Sequence, residues 1–240
     1  GIRPFVAQGN NDRILDMRFP GRPPAQGSFI PTPDLYDAFE DGDERRDWSL
    51  MTKYITSGRK TYVSQPTFRK YVDINYFLGD EGTSFRNTNN NFIIYRFADA
   101  LLIYAEAANE FNGPTQEVFT MLNAVRERAG INTVEEAWSD GAIAATVNKH
   151  TTQDGLRDII RHERLIEFAF EGHRYNDLRR WKLAEGYLNS PVKGWSVDET
   201  TEDGFYTLRD VGSRSFSSPR DYFHPISINE LTINTNLIQN

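Results

Sequence analysis

The chain has 240 residues, 38% of them hydrophobic and 25% charged, the composition of a soluble globular protein with a sizeable core. Its net charge of −7 argues against a general nucleic-acid binder, which needs a basic surface to displace counterions. The absence of Cys removes disulfide frameworks, thiolate metal sites and Cys nucleophiles, and no run of about 18 apolar residues is present to cross a bilayer as a helix.

Residues 1–33 place Gly, Pro, Asn and Ser too densely for long regular elements, as in "FPGRPPAQGSFIPTP". "TPDLYDAFEDGDERRDW" reads as a short helix with Thr32 as N-cap, Pro33 at its first position and Leu35, Ala38 and Phe39 facing inward. Residues 50–78 are rich in β-branched and aromatic side chains and predict short strands or extended segments, followed by the polar loop "GDEGTSFRNTNNN".

From Tyr95 the texture turns helical. In "YRFADALLIYAEAANEFNG" the stripe Phe97, Leu101, Tyr104, Ala105 and Ala108 predicts one buried face, with Gly113-Pro114 as the stop. Leu102 and Ile103 point elsewhere, so this helix is expected to be covered on more than one side. "TQEVFTMLNAVRERAGI" follows, capped by Thr115, striped by Val118, Met121, Leu122, Val125 and Ala129, and ended by Gly130. Two helices so closely joined pack as an antiparallel hairpin, and Ala105, Ala107 and Ala108 allow close approach. A polar stretch, 132–153, leads to a long helix running to about Phe170, then Gly172 and a further helix. Residues 189–222 read as loop, and the end as a turn, a short helical piece and an Asn-rich tail.

The long helix poses the chemical question. Leu156, Ile159, Ile160, Ile166 and Phe170 share one face, and Glu163 and Glu167 fall in the middle of it. As a retaining glycosidase pair they would stand about 5 Å apart, but carboxylates at i and i+4 approach a substrate from the same side. The stronger reading is structural: a buried carboxylate needs a partner, and Arg126, Arg128, Arg174, Arg179 and Arg180 are at hand for charge-assisted hydrogen bonds. Glu106, lodged among alanines, is expected to pair with Arg96 or a similar arginine.

No metal motif is present. The histidines lack paired spacing, and "DGDERRD" puts Arg45 where a calcium-binding loop needs its fifth-position ligand. Calcium held by loop carbonyls stays open, and no cofactor is expected. Nucleophile elbows and phosphate loops are absent.

Four segments, "YRFADALLIYAEAANE" (95–110), "LNAVRERAGI" (122–131), "ERLIEFAFEGHRYNDLRRW" (163–181) and "HPISINELTINTNLIQN" (224–240), resemble in order and spacing the C-terminal half of SusD/RagB-type proteins. "PTPDLYDAFEDGDERRDW" (31–48) is similar to that family's segment ahead of them. Two details depart from the family: Pro225-Ile226-Ser227 replaces its Pro-Ile-Pro, and Asn234-Thr235-Asn236 its Asn-Pro-Asn.

The resemblance implies a mainly α fold with tetratricopeptide-like helix hairpins, extensive loops and minor strands. It also implies a surface-exposed outer-membrane lipoprotein of Bacteroidetes that binds a glycan or other nutrient, without catalysis, for a TonB-dependent transporter of the SusC type. The 240 residues are treated as one domain, expected to be a fragment of a longer precursor whose lipid-accepting Cys and N-terminal helical half lie elsewhere.

Sugars present apolar ring faces fringed by hydroxyls, so loop aromatics with amide or guanidinium neighbours are the expected binding groups. Phe19, Phe29, Trp48, Tyr76, Phe85 and Trp195 are the aromatic candidates, and Asn10, Asn11, Arg18 and Asn87 the polar ones. Each has a plain alternative role as core or loop anchor. Tetratricopeptide-like hairpins also commonly bind protein, so a helical scaffold for a protein partner is the rival function.

Overall fold

The computed structural model describes residues 31–55, 61–68, 70, 93–139, 147–196, 204 and 206–239; for 51–55 and 61–68 the description is of the backbone. The fold is mainly α, with two small two-stranded sheets among the described residues. The chain divides into two compact units, Gly1–Glu171 and Gly172–Asn240.

In the first unit the 31–48 segment forms two short helices where the sequence predicts one. Helix α1, Pro33–Asp37, has Pro at its start, where the missing N–H is no loss. Gly42, at φ 85°, turns the chain, and Asp43 caps α2, Glu44–Ser49, by accepting from the Arg45 backbone N–H at 2.9 Å. Strands β1, Leu50–Ile55, and β2, Thr61–Phe68, pair antiparallel as the β-branched composition predicts.

Helices α3, Phe97–Asn112, and α4, Gln116–Arg128, form the expected hairpin. Thr115 caps α4 by accepting from Val118 N, and Gly130 ends it at φ 73°. The buried face of α4 is Val118, Leu122, Val125 and Ala129, with Met121 half-buried. On α3 the structure corrects the sequence reading. The buried face is Ala98, Leu102, Ala105 and Asn109, while Phe97 and Tyr104 are exposed. The helix is apolar on two sides, so periodicity alone could not choose between them.

The polar stretch after α4 contains an unexpected helix, α5, Val134–Ser139, which buries Val134, Ala137 and Trp138. Helix α6, Gln153–Glu167, starts where Thr152 accepts from Gly155 N at 3.1 Å. Gly155 is required there, because a Cβ would meet the Lys149 carbonyl oxygen at 1.9 Å. Asn109 and Gln153 lock α3 to α6 reciprocally: Asn109 Nδ2 donates to the Gln153 carbonyl at 3.0 Å, and Gln153 Nε2 to the Asn109 carbonyl at 2.7 Å. The main core gathers Leu102, Val118, Leu122, Val125, Leu156, Ile159, Ile160 and Phe168. A smaller cluster joins Phe39, Leu50 and Ile166, with Leu35, Ala38 and Phe170 against it. Helix α6 stops at Glu167, short of Phe170, because Phe170 (φ 65°) and Gly172 (φ 82°) turn the chain left-handed.

The second unit holds α7, His173–Arg180, and α8, Ala184–Leu188, followed by strands β3, Val192–Trp195, and β4, Leu208–Gly212. The strands pair antiparallel in a stretch that reads as loop. Leu178, Ala184 and Phe216 form its core, and helix α9, Ile228–Ile233, is the short helical piece expected near the end. Among the described residues no helix is long and apolar enough to cross a membrane.

Candidate functional site

Glu163 and Glu167 are buried, at 1% and 3% exposure, and both sit in a network of charges inside the first unit. Arg126, itself 1% exposed, donates from Nη1 to Glu163 Oε2 at 3.0 Å. It also clamps Glu40 with both terminal nitrogens, at 2.7 and 2.8 Å, and donates from Nε to the Asn132 carbonyl at 2.7 Å. Arg45 reaches Glu163 Oε1 at 2.5 Å and Glu167 Oε2 at 3.1 Å from one nitrogen, while Nε and Nη2 hold Asp43. Arg96 and Arg128 both donate to Glu167 Oε1. Arg96 also grips Glu171 at 2.8 and 2.9 Å, and Lys70 reaches Glu171 and the Glu167 carbonyl at 2.5 Å each. Phe168 lies under two guanidinium groups, Arg96 at 4.7 Å and Arg164 at 4.9 Å from its ring centre.

Arg45, Lys70, Arg96, Arg126 and Arg128 thus face Glu40, Asp43, Glu163, Glu167 and Glu171, cation for carboxylate. The balance governs the electrostatics. Burial pushes the Glu167 carboxyl up, but hydrogen bonds from Arg128 and Arg96 outweigh it and hold the group down to about 2. Glu171 is likewise lowered, burial being outweighed by Arg96 and Lys70. Neither Glu163 nor Glu167 offers an oxygen to an open cleft, and every carboxyl oxygen of the two is engaged by arginine. This pair is built to hold the helices of the first unit together and has no access to a glycosidic bond.

Of the arginines named from sequence, the structure brings Arg126 and Arg128 to these carboxylates. It places the others elsewhere. Arg174 stacks on Tyr187 at 5.0 Å, and Arg179 donates to the Tyr222 carbonyl and contacts His224 Nε2 at 3.2 Å. Arg180 donates to Asp177 at 2.8 Å. These three follow Gly172 and serve the second unit, so nearness in sequence to Glu167 is no guide to pairing. Glu106 lies 3.9 Å from Arg164, so of the expected partners, Arg96 or a similar arginine, it is the latter that serves, Arg96 being committed to Glu167 and Glu171. Sequence reasoning missed Arg45, Glu40, Asp43, Lys70 and Glu171. One signal for Glu171 was available, since Glu163, Glu167 and Glu171 recur every fourth residue.

Among the aromatic candidates, Trp48 stands at the end of α2 with 47% of its surface exposed. Trp195, at the end of β3, is 4% exposed and cannot present a face to a ligand. Phe19, Phe29, Tyr76, Phe85, Asn10, Asn11, Arg18 and Asn87 lie outside the described residues. No group of three or more His, Cys, Asp or Glu able to hold a metal occurs among the described residues.

The described residues of the first unit form a helix-hairpin scaffold tied by buried ion pairs. The SusD family model matches residues 39–240, and the chain belongs to that family. It is 30% identical over 223 residues to the SusD-like protein P2 of Formosa agariphila, covering 88% of this chain and 39% of that one. A SusD-like carbohydrate-binding protein from Bacteroides fragilis superposes with a TM-score of 0.62 at 28% identity, over 87% of this chain and 48% of that one. Surface glycan-binding protein A from Bacteroides uniformis gives a TM-score of 0.51 at 27% identity, over 87% and 40%. The chain therefore spans less than half the length of each of these proteins.

Proposed function

We propose that this chain is part of a non-catalytic glycan-binding protein at the bacterial cell surface, which captures an oligosaccharide or polysaccharide and delivers it to a TonB-dependent, SusC-like transporter. The observation that carries the reading is the fold and sequence likeness to the carbohydrate-binding protein of Bacteroides fragilis. The closed charge network supports the non-catalytic part, because the acid pair that the sequence singles out has no oxygen to spare for substrate. The outer-membrane location, a lipid anchor outside these residues and the transporter partner rest on family membership. Ligand capture falls to exposed aromatic side chains, Trp48 on α2 among them, since a flat aromatic face suits the apolar side of a sugar ring.

A glycan array tests the reading. Saturable binding to one polysaccharide, with no new reducing ends on prolonged incubation, is expected. Release of reducing ends refutes the non-catalytic assignment. Silence across the array with a protein co-purifying favours the helical scaffold instead. Repeating the array with a chelator checks for calcium held by loop carbonyls.

A further inference from the structure

Two Asp-Gly pairs and one Asn-Gly pair fall among the described residues, and their surroundings differ. Gly155, after Asp154, is buried in the first turn of α6, where its N–H donates to Thr152 Oγ1 at 3.1 Å. Gly113, after Asn112, is also buried, and its N–H donates to the Asn109 carbonyl at 2.9 Å. Gly42, after Asp41, is the exception. It stands exposed at the third position of a turn that the Asp43 N–H closes on the Glu40 carbonyl at 3.1 Å. Its φ is 85°, and no atom lies within 4 Å of where a Cβ would be. Its N–H donates to no acceptor among the described residues. The Asp41 side chain is fully exposed, and its carboxylate comes no nearer than 3.9 Å to Arg46. An unbonded amide nitrogen thus stands beside an open carboxyl, and the glycine has no side chain to block their approach.

We propose that Asp41–Gly42 is a self-modification site, where aspartate converts with time to isoaspartate and loosens the charge network on either side. The Gly42 nitrogen bonds to the Asp41 side-chain carbonyl carbon, and the amide proton leaves with the carboxyl hydroxyl as water, closing a succinimide. Water then opens the ring. Opening at the side-chain carbonyl restores aspartate, and opening at the main-chain carbonyl routes the chain through the side-chain carbon. One water is lost and one regained, so the reaction needs no oxidant, reductant or cofactor. The product carries one extra main-chain carbon, roughly 1.5 Å of added length. That length enters a stretch fixed at both ends. Arg126 clamps Glu40 at 2.7 and 2.8 Å, and Asp43, its side chain fully buried, holds Arg45 Nη2 at 2.7 Å. The Glu44 N–H is bonded to the Ala129 carbonyl at 3.1 Å. The added atom is accommodated only by breaking one of these bonds.

The test ages the full-length protein at physiological temperature and neutral pH in heavy-oxygen water. Peptide mapping with electron-transfer fragmentation then separates isoaspartate from aspartate and records the heavy oxygen gained at each ring opening. Conversion at Asp41 is expected to run at least about tenfold faster than at Asp154, whose glycine must first leave the helix turn. The thermal midpoint of the aged parent is expected to fall by several degrees, in step with its isoaspartate content. Asp41→Glu keeps the charge but needs a larger ring that closes slowly, and its midpoint is expected to hold on ageing. Absence of isoaspartate and heavy oxygen at Asp41, or equal rates at Asp41 and Asp154, overturns the proposal. So does a converted parent with an unchanged midpoint, or an Asp41→Glu variant that loses as much stability on ageing as the parent.

Discussion

Arg126 and Glu163, each with a side chain 1% exposed, meet at 3.0 Å in the interior of the first unit. Arg126 comes from the second helix of the hairpin and Glu163 from the long helix, so the contact fixes α4 on α6. An ion pair so deep is held by what surrounds it: Arg126 also clamps Glu40, and Glu163 also accepts from Arg45.

Removing one member strands the rest. Arg126→Leu leaves Glu163 and Glu40 buried with fewer donors and is expected to destabilise the protein by about 3–5 kcal/mol, the loss typical when a buried pair is broken. Urea denaturation followed by circular dichroism measures it. A loss below about 1 kcal/mol would mean that the carboxylates find water or other cations.

A double-mutant cycle between Glu167 and Arg96 is expected to show coupling of roughly 1–3 kcal/mol, as for contacting members of one network. The same cycle between Glu167 and Arg179 is expected to show none, because Arg179 is bonded to the Tyr222 carbonyl. The pair of cycles separates contact from closeness in sequence.

Acid should unfold the first unit through Glu167. Its carboxyl is held down to about 2 against an ordinary 4.5, so its contribution is complete above pH 4.5 and is lost as pH falls toward 2. The integrated effect is roughly 3 kcal/mol. Glu171, also lowered, steepens the same limb. Stability measured from pH 6 to pH 2 should show this decline in the parent and a flatter one in Glu167→Gln.

The two described tryptophan candidates should part company. Trp195→Ala empties a buried site and is expected to cost about 3–5 kcal/mol of stability. Trp48→Ala should leave the fold intact and weaken binding of the polysaccharide found on the array by about tenfold, the loss of one aromatic contact. Titration calorimetry and thermal denaturation on both variants provide the comparison.

Glycine positions give a further contrast. Gly155→Ala drives a methyl into the Lys149 carbonyl and is expected to cost about 1–3 kcal/mol. Gly186→Ala in α8 meets open space and is expected to be stabilising by up to about 1 kcal/mol, through helix propensity. Thermal midpoints should move in opposite directions.

The hairpin α3–α4 was legible because punctuation marks it: Gly113-Pro114 before Thr115, and Gly130 after the stripe. Which side of α3 faces inward was not, since both sides are apolar and the larger residues lie outward. The partners of Glu163 and Glu167 were half legible. Arg126 and Arg128 flank a readable stripe, but Arg45 lies 118 residues from Glu163, and local pattern carries no information over that separation. The β3–β4 hairpin was missed because all of β4 is exposed, which erases the alternation that would reveal a strand.

Lys70 and Arg96, well separated in the sequence, grip the same carboxylate, Glu171. Those two points of the chain are therefore pinned at a set spacing by one side chain. One acidic side chain thus serves as a shared rivet, and replacing it frees two distant stretches of sequence at once.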